Sequence, residues 1–253
     1  MKRLLAIPFV CAAVAALGML MSESAAPQFY RAVLILAASA TAASAFATMR
    51  HFAPSDALFR SWALLGTGYA LAALRYAYRL MTLTTGVDFL PRTALDALLI
   101  MQNVLIALSL WLFVSAWRTT GLVAPGSRAS RTGWTLAGLA IALLVGGYPL
   151  LQGIATASTD TVLLVSTLGD MVGIALIVPL IMSALTLRGG LLMHAWLYLA
   201  ACELAWLMYD LWLAFRQTGS FSPRIALGVE QIIRIIAIML AFIATVAQRR
   251  AVK

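Results

Sequence analysis

Eight apolar stretches, each about long enough to cross a lipid bilayer, account for most of the chain. A spanning helix needs about 20 mostly apolar residues, because the hydrocarbon core is about 30 Å thick and a helix rises about 1.5 Å per residue. The stretches that meet this length are Leu4–Met21, Tyr30–Met49, Ser61–Leu80, Thr93–Trp117, Thr132–Ala155, Thr161–Leu187, Leu191–Phe215 and Ile225–Ala247. The sequence therefore predicts an all-α, polytopic integral membrane protein with eight transmembrane helices.

The composition excludes a water-soluble monomer. Apolar residues make up 63% of the chain and charged residues 11%, whereas soluble domains average about 45–50% and about 25%. The net charge of +9 comes from basic residues scattered singly at the ends of apolar stretches, which is typical of membrane topology rather than of a phosphate-binding stripe. We therefore expect the lipid bilayer as the partner, and no nucleic acid.

The distribution of basic residues predicts the orientation in the membrane. If the N-terminus is cytoplasmic, the inner side holds Lys2, Arg3, Arg50, Arg60, Arg118, Arg128, Arg131, Arg188, Arg249, Arg250 and Lys253. The outer side then holds only Arg31, Arg79, Arg92, Arg216 and Arg224. By the positive-inside rule, both termini are expected in the cytoplasm, and the protein in the cell (plasma or inner) membrane as a multi-pass protein.

The first apolar stretch has a second interpretation. A basic start, an apolar run and the small residues Ser24-Ala25-Ala26 are typical of a secretory signal. Pro27 would follow the cleavage site and disfavours cleavage, so we expect this stretch to remain as a helix. Cleavage would leave seven helices in the same orientation.

Two segments of the chain indicate an internal duplication. The segment from Phe89 to Leu95 and the segment from Phe221 to Leu227 both have the pattern F-x-P-R-x-A-L. Each lies before the fourth helix of its half, and both helices end near an arginine. The alternative is chance similarity between Ala- and Leu-rich helices. We predict two pseudo-symmetric four-helix repeats, residues 1–128 and 129–253, related by an axis along the membrane normal.

Seven ionisable residues fall within the predicted spans. They are Arg75, Asp96, Asp170, Glu203, Asp210, Glu230 and Arg234. A charge at mid-bilayer costs at least about 2.5–3.5 kcal/mol on insertion scales, so such residues usually face the protein interior. With the predicted orientation, all of them lie between the midplane and the outer face.

Helical spacing places several of these residues on shared faces. On the seventh span, Trp196, Glu203 and Asp210 are seven residues apart, and Trp62, Tyr69 and Tyr76 have the same spacing on the third. Asp96 and Asn103 share a face of the fourth span, and Glu230 and Arg234 form an i, i+4 pair on the eighth. We expect these faces to form one acidic and aromatic pocket that opens outward and is also lined by Trp206 and Tyr209.

The charges of the seven residues suggest how they pair. Five carboxylates and two guanidiniums leave a net negative charge that a low-dielectric site disfavours, unless some acids are protonated or a cation is bound. We predict that Arg75 pairs with Asp210 or Asp96, and Arg234 with Glu230. Glu203 and Asp170 would then be free to exchange a proton or bind a cation.

These patterns favour a small transporter or channel-like carrier for a proton, a cation or a small cationic solute. Alternatively, the buried charges only fix how the helices pack. The first alternative function is a sensor or accessory subunit, since small residues of the second span, such as Ala38, Ala42 and Ser44, allow close packing against a neighbouring helix. That helix could belong to a homo-oligomer or to a larger membrane-protein partner.

An intramembrane enzyme is the second alternative. The spacing of Glu230 and Arg234 resembles part of the E-E-x-x-x-R motif of CAAX-type intramembrane proteases. Val229 stands where that motif has its first glutamate, and no histidine motif follows. His51 and His194 have no Cys, Asp or Glu spaced with them as metal ligands. We therefore assign no catalytic residue, no metal and no cofactor.

Overall fold

The chain folds into a bundle of long helices. The computed structural model describes residues 2–118, 127–155, 161–187, 190–218 and 221–252, and within these ranges the regular elements are all helical. The α-helices are α1 (Lys2–Ala16), α2 (Ala25–Met49), α3 (Ala57–Thr85), α4 (Arg92–Arg118), α5 (Arg128–Ala155), α6 (Thr161–Thr186), α7 (Leu192–Thr218) and α8 (Pro223–Ala251). A 3-10 turn, Leu17–Leu20, follows α1. Each predicted span overlaps one of these helices, so the all-α prediction is confirmed.

Polar and turn-forming residues fix the helix ends. The carboxylate of Asp56 caps α3 by accepting a 2.8 Å hydrogen bond from the Leu58 amide. At the other end of α3, Gly86 has φ +70°, a left-handed conformation that glycine adopts without strain. Pro223 opens α8, where its missing N–H has no helical partner to lose.

Four helices are long and apolar enough to cross a membrane in the part of the chain that the structure describes. They are α2, α3, α4 through Trp117, and α8. Two shorter apolar helical segments are Ala6–Leu20, which runs through α1 and the 3-10 turn, and Met171–Thr186 in α6. The chain is therefore an all-helical protein with the length and hydropathy of a membrane protein.

The centre of the bundle is α8, which packs against α1, α2 and α7. Its buried face runs along most of its length and includes Arg234, Ile235, Ile238 and Ile243. On one side of α8, α2 packs against α3, and α3 packs against α4. On the other side, α7 packs against α6, and α6 packs against α5. Helices α4 and α6 also pack against each other. The polar residues described below lie where α3, α7 and α8 meet.

The small residues of α2 pack within the chain. Ala38, Ala42 and Ser44 are buried, and α2 packs against α3 and α8. Thr41 Oγ1 donates a 3.1 Å hydrogen bond to the Ile238 carbonyl, and Ser44 Oγ contacts Thr245 Oγ1. At Thr41 and Ser44, the helix that approaches α2 closely is therefore α8 of the same chain.

Candidate functional site

One face of α3 is almost completely buried. Trp62, Tyr69 and Tyr76, predicted to share a face because they are seven residues apart, are each at most 2% exposed. Tyr69 and Tyr76 contact the second half of the chain directly, whereas Trp62 is connected to it through Phe113 of α4. Trp62 packs edge-on against Phe113, whose ring lies 5.7 Å from Trp196. This first contact is apolar, whereas those of Tyr69 and Tyr76 are polar.

The middle contact joins α3 to α7. The hydroxyl of Tyr69 lies 3.6 Å from the Cys202 sulfur, and both side chains are buried. The next residue, Glu203, is only 7% exposed. One of its carboxylate oxygens, Oε2, lies directly against the Cα of Gly173 on α6, in the space that a Cβ there would occupy. Glu203 is therefore a carboxyl group enclosed between α6 and α7.

The third contact joins α3 to α8 through a buried arginine. Arg234 Nη2 donates a 3.0 Å hydrogen bond to the hydroxyl of Tyr76. The same guanidinium lies 5.3 Å from the centroid of the Tyr76 ring and 5.5 Å from that of Tyr209, so it also makes cation–π contacts. Its Nη1 donates a longer hydrogen bond, 3.4 Å, to Gln231 Oε1.

Glu230 balances the charge of Arg234. The predicted i, i+4 ion pair is present, with 3.7 Å between Arg234 Nη1 and Glu230 Oε1. The other carboxylate oxygen, Oε2, forms a shorter ion pair with Arg216 Nη1 near the end of α7, at 2.6 Å. Sequence reasoning counted Arg216 only as a residue of the outer surface. Glu230 thus bridges one buried and one half-exposed guanidinium.

The predicted pairing of Arg75 with Asp210 or Asp96 is wrong for the described residues. The Arg75 guanidinium instead lies 5.4 Å from the centroid of the Tyr76 ring. Asp96 pairs with Arg92, four residues earlier on α4, at 4.0 Å. Asp96 has a cation one turn away on its own helix, where residues four apart are neighbours. Arg75 and Arg234 therefore share one aromatic ring.

Beside Arg75 is a cavity of about 490 Å³ between the end of α3 and the start of α4. Its lining residues are Arg75, Arg79, Asp88, Leu90, Arg92, Leu95, Asp96 and Leu99. Of these, the sequence prediction included only Arg75 and Asp96. Arg79 follows Arg75 by four residues and Arg92 precedes Asp96 by four, and this spacing is the signal that would have found them.

The remaining predicted site residues lie apart from this cavity. Asn103 is half-buried on α4, and a Cβ on Gly169 of α6 would come within 3.3 Å of its own Cβ. Asp210 is half-buried on α7, next to Tyr209. The side chain of Asp170 lies outside the described residues. Among those that are described, no three His, Cys, Asp or Glu side chains are close enough to hold a metal ion.

In the structure, the residues of the predicted pocket thus form separate groups that are joined through α3. Tyr76 lies at the centre, with Arg234 and Glu230 on one side and Arg75 and the cavity on the other. Glu203 lies with Tyr69 further along the same buried face. No family model, curated protein or solved structure matches this chain at a significant level. The side-chain arrangement itself is therefore the basis for assigning a function.

Proposed function

We propose that this protein is a small multi-pass carrier of the cell membrane, in which Glu203 takes up and releases a proton or another small cation. The observation that carries the proposal is a glutamate in the interior of the bundle, Glu203, which is only 7% exposed and whose carboxylate lies against α6. Acids inside membrane proteins are costly to bury and typically mark proton or ion pathways. Glu203 is the predicted site residue that meets this description best.

The proposed architecture is eight spans with both termini in the cytoplasm, arranged as repeats of residues 1–128 and 129–253. The helix packing supports a repeat, because α2 packs on α3 and α3 on α4, just as α6 packs on α7 and α7 on α8. Between the halves, α2 packs on α8 and α4 on α6, which are the two contacts that a two-fold axis would exchange. The first helices differ, since α1 packs on α8 whereas α5 packs on α6.

In this proposal, the Tyr76–Arg234 contact holds the two halves together near the outer face. Tyr76 belongs to the first half and Arg234 to the second, and their hydrogen bond is buried. Movement of one half against the other would break or exchange this contact. The cavity beside Arg75 would give the outer solution access to this end of the bundle.

The test is flux into proteoliposomes. Purified protein is reconstituted with a pH-sensitive dye inside the vesicles, a pH gradient is imposed, and the initial rate of dye response is measured with a panel of monovalent cations outside. We expect the wild type to dissipate the gradient faster than empty vesicles, and Glu203→Gln to lose most of this activity.

Glu23→Gln is the matched control, because it removes a carboxylate from an exposed position between α1 and α2. It should behave like the wild type. A wild-type rate equal to that of empty vesicles with every cation, or equal activity of Glu203→Gln and Glu23→Gln, would contradict the proposal.

One observation favours an accessory subunit as the second candidate function. Helix α5 packs mainly against α6, and several of its large apolar side chains point away from the bundle. These are Trp134, Leu136, Leu139, Ile141, Leu143 and Leu144. Such a face suits either lipid or another membrane helix. Native mass spectrometry of the protein released from mild detergent distinguishes a monomer from a homo-oligomer or a larger complex.

A further inference from the structure

The cavity between α3 and α4 has more guanidinium groups than carboxylates. Arg75, Arg79 and Arg92 line it, together with Asp88 and Asp96. Two further guanidiniums, those of Arg31 and Arg234, are close enough to interact electrostatically with Arg75. The sequence prediction of an acidic pocket for a cationic solute does not describe this part of the molecule.

Both carboxylates of the cavity already have partners. Asp96 forms the ion pair with Arg92, and Asp88 accepts a 3.4 Å hydrogen bond from the hydroxyl of Tyr78. In contrast, neither Arg75 nor Arg79 forms an ion pair with a carboxylate of the described residues. The lining therefore carries more positive than negative charge, and Arg75 and Arg79 have no carboxylate partner of their own among the described residues.

The guanidinium of Arg75 is also incompletely hydrogen-bonded. Its Nε atom is buried and has no hydrogen-bond partner among the described residues. A buried donor without an acceptor is unfavourable, and a guanidinium without a counter-charge within a membrane protein is more so. An anion in the cavity would offset the excess positive charge of its lining.

The cavity wall is held in place by the connection between the helices. The Leu90 amide donates a 2.8 Å hydrogen bond to the hydroxyl of Tyr78 on α3, which fixes the segment that precedes α4. Leu90, Leu95 and Leu99 supply an apolar part of the lining. Arg92 stands at the opening, with its side chain 83% exposed. The volume of about 490 Å³ falls within the range of small-molecule sites, roughly 300–1,000 Å³.

We propose that this cavity binds a phosphate group through the guanidiniums of Arg75, Arg79 and Arg92. Planar guanidiniums match the oxygens of phosphate in bidentate geometry, and several of them surround a tetrahedral anion more completely than a carboxylate with only two oxygens. The phosphate belongs either to a soluble phosphate compound or to the headgroup of an anionic lipid. The site is independent of whether Glu203 carries a proton.

Calorimetric titration of the delipidated protein in a neutral maltoside detergent tests the site. One arm uses inorganic phosphate and the other uses dihexanoyl phosphatidylglycerol, each with the wild type, Arg75→Gln, Arg79→Gln and Arg50→Gln. Arg50 is the matched control, because it is an exposed arginine at the end of α2 and does not line the cavity. Arg79 is exposed, so its replacement leaves the buried face of α3 intact.

We expect saturable binding to the wild type that weakens at least about tenfold in Arg75→Gln and Arg79→Gln, and stays unchanged in Arg50→Gln. Binding of inorganic phosphate assigns the site to soluble phosphate compounds, and binding of the lipid alone assigns it to a headgroup. If Arg75→Gln does not fold, Arg79→Gln decides. No saturable binding in either arm, or equal binding by Arg79→Gln and Arg50→Gln, would overturn the proposal.

Discussion

The guanidinium of Arg234 on α8 donates a 3.0 Å hydrogen bond to the hydroxyl of Tyr76 on α3. Both side chains are buried, at 9% and 1% exposure. The contact joins the first half of the chain to the second, and Tyr76 also contacts Arg75 beside the cavity. The contact between Tyr76 and Arg234 thus connects the buried polar groups to the cavity between α3 and α4.

Replacing Tyr76 with phenylalanine tests the strength of this contact. The ring remains, but Arg234 loses its hydrogen-bond acceptor on α3, so we expect the free energy of unfolding to fall by about 1–2 kcal/mol. Unfolding by sodium dodecyl sulfate in mixed micelles measures the change. Tyr209→Phe is the matched control, because Tyr209 contacts Arg234 through its ring face. An equal loss of stability in both variants would show that the Tyr76 hydroxyl has no special role.

Lysine should not replace arginine at position 234. Its ammonium keeps the charge but lacks the planar fork that contacts Tyr76, Gln231 and Glu230 together. We expect Arg234→Lys to lower the midpoint of thermal unfolding clearly. Arg216→Lys should lower it far less, because that side chain is 40% exposed and its ion pair with Glu230 is partly screened by solvent. A larger effect at position 216 would contradict this difference.

Gly173 provides a way to disturb Glu203 without removing its charge. The Cβ of an alanine at this position would occupy the space that Glu203 Oε2 fills, so the carboxylate must move. We expect Gly173→Ala to reduce the rate of proton flux in proteoliposomes and to cost about 1–3 kcal/mol of stability. Gly133→Ala is the control, since no atom lies within 4 Å of the added Cβ. Unchanged flux in Gly173→Ala would mean that the position of the carboxylate is unimportant.

The polar contact between α2 and α8 makes a separate prediction about packing. Thr41 Oγ1 donates to the carbonyls of Ala37 and Ile238, at 2.8 and 3.1 Å. Thr41→Val keeps the shape of the side chain but removes the donor, and should destabilise the protein by about 0.5–1 kcal/mol. Thr41→Ser retains the hydroxyl and should retain most of the stability. Steric trapping in bilayers measures both, and a Ser variant as unstable as the Val variant would contradict a role for the hydrogen bonds.

The sequence predicted those features that depend on local spacing. Long apolar stretches predicted the helices, because a spanning helix satisfies its own backbone hydrogen bonds. The seven-residue spacing of Trp62, Tyr69 and Tyr76 correctly placed them on one buried face. The four-residue spacing of Glu230 and Arg234 correctly gave an ion pair, since such residues are neighbours on a helix surface.

Contacts between helices were harder to predict, because spacing within one helix does not say which other helix faces it. The pairing of Arg216 with Glu230 joins α7 to α8, although Arg216 was counted as a surface charge. Arg75 was predicted to form an ion pair with a carboxylate, but its guanidinium lies against the ring of Tyr76. The cavity is lined by Arg75 together with Arg79 and Arg92. From the sequence, Arg79 and Arg92 were interpreted only as basic residues at the outer membrane boundary.

The decisive measurement for the proposed carrier is the ratio of proton flux through Glu203→Gln to that through the wild type, at equal protein content per vesicle. If Glu203 is the group that exchanges protons, the ratio falls to a small fraction, while the same ratio for Glu23→Gln stays near one. A Glu203→Gln ratio near one, with wild-type flux well above that of empty vesicles, would mean that protons pass without this carboxyl group.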